Sequence, residues 1–351
     1  MQEFKTALYK WYDFNHRDLP WRQTGDAYKI WISEIILQQT RVAQGTGYYQ
    51  RFIKRFRTVN DLALAEEDEV LKLWQGLGYY SRARNLHSAA KTIVSEYDGV
   101  FPATYQEILK LKGIGPYTAA AVASIAFSLP YPTIDGNVYR VLSRYFGVST
   151  PIDSSAGKNE FSILATELMN KANPGLHNQA LMEFGALQCV PASPDCLKCP
   201  MHSSCYAFLN KRVSALPVKE KKTKQTFRYF YYFLVEAGND ILLEKRIHND
   251  IWKNLYQLPL FESDKELTDD AVLGLEIPFL KGITYNILSV SETKKHILSH
   301  RIILARTIRI EISEDSVIRK PLLRVNKKDI SKFAVSRLVE LFLKDNKLIQ
   351  K

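Results

Sequence analysis

Cysteine is scarce in this chain of 351 residues, and the four present all fall between positions 189 and 205. A secreted domain stapled by disulfides spreads its cysteines through the fold, so that class is excluded. Long apolar runs are missing too: no window reaches the roughly 18 uninterrupted apolar residues of a membrane span. The N-terminus lacks the apolar core and small-residue cleavage site of a secretory leader. The chain is therefore expected in the cytoplasm, on the chromosome, with no membrane partner. With 14 prolines, 16 glycines and no low-complexity tract or internal repeat, neither a disordered chain nor a solenoid fits. Acidic residues are outnumbered, 37 against 48 Lys and Arg, and the net charge of +11 favours a polyanionic partner without requiring one. What is abundant is apolar surface: 46% hydrophobic residues over this length suit two cores.

The chain is organised around residues 109–140, LKLKGIGPYTAAAVASIAFSLPYPTIDGNVYR. Gly113-Ile114-Gly115 turns one helix into the next, with Pro116 suited to a first helical position. Glycine there allows a positive φ or a close approach to a ligand, and the free N–H groups of a helix start suit a phosphate. The small residues 119–126 let another helix pack close, so a buried helical hairpin explains the segment equally well. Asp135 then stands where the next helix begins. An N-cap and a carboxylate that stabilises a developing cation are compatible roles.

Trp31–Thr40 is a nearly all-apolar helix with one acid, Glu34, in its middle. Buried, such a carboxyl is held protonated and can serve as a general acid, whereas on an exposed face it is a surface charge. Residues 76–85, GLGYYSRARN, break the helical pattern with glycines, aromatics and arginines. That composition suits either a loop that replaces base stacking and neutralises phosphates, or a glycine turn with packed tyrosines. The cysteines run Cys189-x6-Cys196-x2-Cys199-x5-Cys205 with none left over, so a metal is the best account. Four thiolates suit zinc or an iron–sulfur cluster.

These motifs, LKGIGPYTAAAV, PTIDGNVYRVLSR and SEIILQQTRV, resemble the endonuclease III superfamily of DNA glycosylases and, within it, the MutY adenine glycosylases, which act on adenine mispaired with 8-oxoguanine. The resemblance runs from about residue 4 to 212 and, more weakly, into the C-terminal third. It implies a mainly α fold: a helix-hairpin-helix glycosylase bundle at 1–212 with a [4Fe–4S] cluster loop at 189–205. A basic linker at 213–226 and an α+β Nudix-like domain for 8-oxoguanine recognition at 227–351 would follow. By the same resemblance Glu34 is the acid, Asp135 the carboxylate and Asn137 a positioning group, while Cys189, Cys196, Cys199 and Cys205 hold the [4Fe–4S] cluster. Gln39, Thr40, Leu77, Tyr79, Arg82, Gly113 and Gly115 would meet DNA.

Tyr117 occupies the place where the lyase branch of the superfamily has a lysine. A phenol cannot form the Schiff base that cuts the strand, which points to a monofunctional enzyme. A bifunctional pyrimidine glycosylase/lyase is the alternative, and Tyr117 is left to orient Asp135. In the C-terminal third, Arg228–Glu236 and Ile241–Lys245 read as a hairpin. Residues 251–259, IWKNLYQLP, resemble the family's W-x-G-L-W-x-F-P with Asn254, Tyr256 and Leu258 replacing Gly, Trp and Phe. Ser299 and His300 match the family's 8-oxoguanine-reading Phe-Ser-His loop, with Leu298 in place of Phe. A run of Glu able to make a Nudix metal site is missing, so recognition and not pyrophosphate hydrolysis is expected. The implied partner is double-stranded DNA with A opposite 8-oxoguanine or G, bound by a monomer.

Overall fold

The structure is a computed structural model that describes residues 1–220, 225–318 and 321–350. Its contacts divide the chain into two units, Met1–Leu64 with Asn85–Lys221 and Ala65–Arg84 with Lys222–Lys351. Residues 65–84, expected within the glycosylase bundle, thus group by their contacts with the C-terminal unit. Residues 221–224 of the expected basic linker lie outside the described residues.

The helices in chain order are α1 Gln2–Asn15, α2 Ala27–Leu37, α3 Val42–Arg55, α4 Val59–Leu64, α5 Glu67–Trp74, α6 Ser81–Glu96, α7 Tyr105–Lys110, α8 Pro116–Phe127, α9 Gly136–Phe146, α10 Ser155–Leu168, α11 Pro174–Leu187 and the short α12 Tyr206–Leu209. Their starts are written in the sequence. Asp26, Thr104, Asp135, Ser154 and Asn173 each accept hydrogen bonds from the first-turn amides of α2, α7, α9, α10 and α11, each such cap contributing about 1 kcal/mol. In the first unit Phe4 and Leu8 of α1, Val138 and Leu142 of α9, Phe161 of α10 and Phe184 of α11 form one core. Residues 119–123 of α8 are almost fully buried; helix α2 packs against α8, as their small side chains permit. At Gly185 a Cβ would lie 2.6 Å from Asn137 Cβ, so glycine is what lets α11 approach the start of α9.

The second unit is built on strands β1 Thr226–Ala237, β2 Asp240–Lys245, β3 Tyr256–Gln257, β4 Leu260–Ser263, β5 Tyr285–Val290, β6 Lys294–Ile297, β7 Arg301–Ile312 and β8 Leu323–Asn326. The sheet order is β3-β2-β1-β7-β5, with β4 on β1, β6 on β7 and β8 on β2. Strands β1 and β7 run parallel in register from Thr226↔Arg301 to Ala237↔Ile312, and the other named strand pairs are antiparallel. Strand β1 is buried on both faces, hence its unbroken apolar and aromatic run. Phe230, Tyr232 and Leu234 pack with Leu338, Val339 and Phe342, while Tyr231, Phe233 and Val235 pack with Val272, Phe279 and Leu280.

The expected β1–β2 hairpin is present, closed by a two-residue turn at Gly238 and Asn239. The closing helix, expected at 330–344, starts later, as α14 at Arg337–Asp345 after the short helix α13 at Asp269–Leu273. Ser336 caps it, and Ala334 is instead taken up by a backbone bond from Tyr256. Among the described residues no helix is long and apolar enough to cross a membrane.

Candidate active site and cysteine loop

Glu34 sits on the third turn of α2, where every residue from Ile30 to Ile36 is buried. The residue is 8% exposed. Burial pushes its pKa from 4.5 up to about 7; the hydrogen bond from Tyr117 and the charge of Arg22 oppose the rise, and the neighbouring Asp135 adds to it. Tyr117, second residue of α8, points its hydroxyl both toward this carboxyl and to Met182 Sδ, 3.2 Å away. No amine stands in its place.

Asp135 caps α9. Its Oδ1 accepts from Asn137 N and Val138 N, both at 2.8 Å, and its Oδ2 accepts from Asn137 Nδ2 at 2.7 Å. Burial raises its pKa; these three donors and the charge of Arg140 oppose the rise. Three N–H groups aimed at one carboxyl favour its ionised form. Asn137 in turn accepts at Oδ1 from Arg140 Nη2 at 2.8 Å, and the same guanidinium donates to the carbonyls of Gly185 and Cys189, both at 2.6 Å.

Glu34, Tyr117, Asp135 and Asn137 line one cavity of about 210 Å³, and Thr40 stands on its wall. The sequence reading missed Glu183 on the same wall. This residue of α11 is 1% exposed and held by Arg17 and Arg22, each with an Nη2 nitrogen 2.7 Å from Glu183 Oε2. Burial pushes its pKa up, but the hydrogen bonds from both arginines outweigh it and bring it down to about 2. The signal that found Glu34, one acid inside an apolar helix, was equally present in ALMEFGAL. One cavity therefore holds two buried glutamates with opposite shifts, the pattern that separates a proton donor from a fixed negative charge.

Gly113 takes φ +82°, and a Cβ there would meet Asn85 at 2.6 Å. Gly115 caps α8 with no side chain, and a Cβ on it would meet nothing within 4 Å, so the N–H face of the helix start is open. Gln39 is exposed and, like Tyr79, holds a positive φ, an uncommon backbone state for a non-glycine residue. In the second unit Tyr79 is 49% exposed, whereas Leu77 is buried. Arg82 turns inward, donating to the carbonyls of Leu77 and Gly78 and lying over the rings of Trp74 and Tyr79. Ser299 and His300 form the tight turn between β6 and β7, with Ser299 Oγ 2.6 Å from the Tyr79 hydroxyl.

Cys189, Cys196, Cys199 and Cys205 line one small cavity walled by apolar groups such as Val141, Phe184 and Met201. Burial raises the pKa of Cys196, Cys199 and Cys205, Cys199 to about 11, and the neighbouring cysteines add to each rise. Arg144 Nη1 is 3.5 Å from Cys189 Sγ. Among the described residues no three Cys, His, Asp or Glu come close enough to hold a single ion. Four thiols around a shared apolar cavity fit a larger, thiolate-ligated cluster. His202 uses Nδ1 on the carbonyl of Cys199, 2.9 Å away.

Residues 32–164 match the HhH-GPD superfamily of base excision DNA repair proteins, and residues 231–345 match the NUDIX domain. An adenine DNA glycosylase of Buchnera aphidicola subsp. Baizongia pistaciae is 37% identical over 318 residues, which is 90% of this chain and 87% of that protein. The human adenine DNA glycosylase is 43% identical over 213 residues, 58% of this chain and 39% of the human protein. Among solved structures, a thermostable thymine-DNA glycosylase superposes with a TM-score of 0.56 at 31% identity, covering 60% of this chain and 96% of that one. A trapped endonuclease III–DNA covalent intermediate, 24% identical with a TM-score of 0.52 over 60% of this chain and 97% of its own, shares the fold.

Proposed function

The chain belongs to the adenine DNA glycosylase family, and from that premise we propose that it hydrolyses the N-glycosidic bond of adenine standing opposite 8-oxoguanine or guanine in duplex DNA. It is a base excision repair enzyme. The observation that carries the reading is the shared cavity of Glu34, with its raised pKa, and Asp135, held by three N–H donors.

Adenine stacked in a duplex is out of reach, so the nucleotide is first extruded into that cavity. Protonated Glu34 donates to N7 of adenine. As the bond from C1′ to N9 breaks, its electron pair leaves with the base and the sugar gains oxocarbenium character. Asp135 stabilises that charge or captures C1′ covalently, with Asn137 fixing its orientation. The Glu34 carboxylate then takes a proton from water, whose oxygen bonds to C1′ and, where the covalent bond to Asp135 had formed, displaces the Asp135 carboxylate; Glu34 is restored to its acid form.

Tyr117 brings a hydroxyl where a lyase would need an amine, which favours an abasic product with the strand intact. The open helix start at Gly115, with Gly113, would seat a backbone phosphate. Gln39, Thr40, Tyr79 and Arg82 are assigned to the DNA around the mispair, and buried Leu77 supports the loop that carries Tyr79. Ser299 and His300 are assigned to 8-oxoguanine. The four cysteines would hold a [4Fe–4S] cluster, which supplies a rigid cross-link for the loop; hydrolysis requires no electron from it. We place the enzyme on the chromosome as a monomer.

The test is a duplex carrying A opposite 8-oxoguanine, run on a denaturing gel with and without alkali. Strand cleavage confined to the alkali-treated lane is the expected result. Cleavage without alkali, or a borohydride-trapped adduct, would overturn the monofunctional assignment.

A further inference from the structure

We propose that Tyr80 is a positioning residue for discrimination between 8-oxoguanine and guanine, because its hydroxyl fastens the Tyr79 loop to the same sheet unit that carries Ser299. The proposal rests on the assignment of Ser299 to 8-oxoguanine made above.

Tyr80 is 5% exposed. Its hydroxyl accepts from Gly76 N at 3.3 Å and donates to the carbonyl of Val335 at 3.2 Å, bridging the start of the loop to the segment before α14. Gln75 Oε1 accepts from Val335 N at 3.4 Å and from Lys72 Nζ at 2.8 Å, and Lys72 Nζ also donates to the carbonyl of Phe333 at 3.0 Å. Residues 72–80 thus grip the backbone of 333–335 at three points.

The Ser299 turn is referenced to the same sheet through Thr226 N, which donates to the carbonyl of His300 at 3.1 Å, and through the closing bond from Leu298 N to Arg301 O at 2.8 Å. Tyr79, next to the anchor, projects its hydroxyl to within 2.6 Å of Ser299 Oγ. 8-Oxoguanine differs from guanine by an oxygen at C8 and a proton at N7. A hydroxyl separates the two only if its lone pair and proton are aimed, because hydrogen bonds weaken steeply with misalignment. Tyr79 aims Ser299, and Tyr80 holds Tyr79 in register.

The experiment compares single-turnover adenine release from duplexes with A opposite 8-oxoguanine and A opposite G. The variants are Tyr80→Phe, Gln75→Met, Ser299→Ala and Tyr80→Phe combined with Ser299→Ala, with melting temperature as the folding control. Tyr80→Phe keeps the ring and removes the bridge. It is expected to lower the preference for the 8-oxoguanine duplex by about threefold to tenfold while the rate on A opposite G stays unchanged. Gln75→Met is expected to show the same pattern. In the Ser299→Ala background Tyr80→Phe is expected to have no further effect on the preference, since the hydroxyl it positions is gone. An unchanged preference, equal losses on both duplexes, or an undiminished effect in the Ser299→Ala background would each overturn the role of Tyr80. A wild-type preference in Ser299→Ala alone would overturn the assignment of the turn, and the proposal with it.

Discussion

Replacing Glu34 by Gln should move activity and stability in opposite directions. The rise of the carboxyl from 4.5 to about 7 means that the folded protein holds this proton more tightly than the unfolded chain. That difference corresponds to about 3 kcal/mol. Below pH 4.5 both states are protonated and no penalty exists. As pH rises toward 7 the unfolded chain ionises freely while the folded one does so against burial, and the penalty grows to its full size above pH 7. Gln has nearly the same shape and cannot ionise, so the variant escapes the penalty.

At pH 8 Glu34→Gln is therefore expected to be about 3 kcal/mol more stable than the wild type, and at pH 5 less than about 1 kcal/mol. Adenine release should fall by at least about 10² to 10⁴, the usual contribution of a positioned general acid, while binding to the mispair persists. The wild-type rate itself should decline as pH rises through about 7, where the proton is lost. Chemical denaturation at the two pH values, with single-turnover assays beside it, checks all of this. Near-normal turnover in Glu34→Gln would refute the catalytic assignment. An equal stability gain at both pH values would refute the explanation by desolvation.

Tyr117→Phe removes the hydrogen bond that lowers the Glu34 pKa, so the alkaline fall in rate should move to higher pH; a move to lower pH would contradict the geometry. Glu183→Gln leaves Arg17 and Arg22 without their carboxylate. Because the folded pKa of Glu183 is depressed to about 2, its contribution is complete above pH 4.5 and lost as pH falls toward 2. The variant should melt several degrees lower at pH 7 and lose the part of the acid-unfolding slope that lies between those values. Cys199→Ser should give protein without the yellow-brown colour of an iron–sulfur centre and with reduced iron content. A variant with unchanged colour and iron would remove Cys199 from the ligand set.

The sequence made the two catalytic candidates visible because each breaks a local rule. Glu34 is a charge in an apolar helix, and Asp135 is an acid at the start of the helix that follows the glycine hairpin. Glu183 broke the same rule and was passed over, because a lone buried acid reveals its partners only once Arg17 and Arg22 are brought back to it across roughly 160 residues of chain. Leu77, expected at the DNA by resemblance, is buried, while Tyr79 two residues on is exposed, with Gly76 and Gly78 flanking Leu77 at positive φ. Nothing in residues 65–84 marks them as part of the sheet unit, since the contacts that place them there are long-range. Two of these contacts account for departures from the family pattern. Asn254, at φ +65° where the family has Gly, donates to Glu67, and Tyr256, where the family has Trp, donates to Asp68 at 2.7 Å. Asn is among the few residues that tolerate this backbone state, so it can replace Gly and add a bond.

Arg140 joins the two parts of the first unit that chemistry would keep separate. Its guanidinium donates to Asn137, which orients Asp135, and to the carbonyl of Cys189, the first residue of the cysteine loop. The head is buried, and its charge also bears on the Asp135 carboxyl, which burial would otherwise push further toward its neutral form. A shift of the loop therefore has a direct route to the Asp135 carboxylate, the group proposed to meet a developing cation. A misplacement of about 1 Å at such a group can cost about a hundredfold in rate. On this geometry a disordered cysteine loop would impair glycosidic cleavage even in a protein that still binds DNA, through position and charge alone, with no electron transferred.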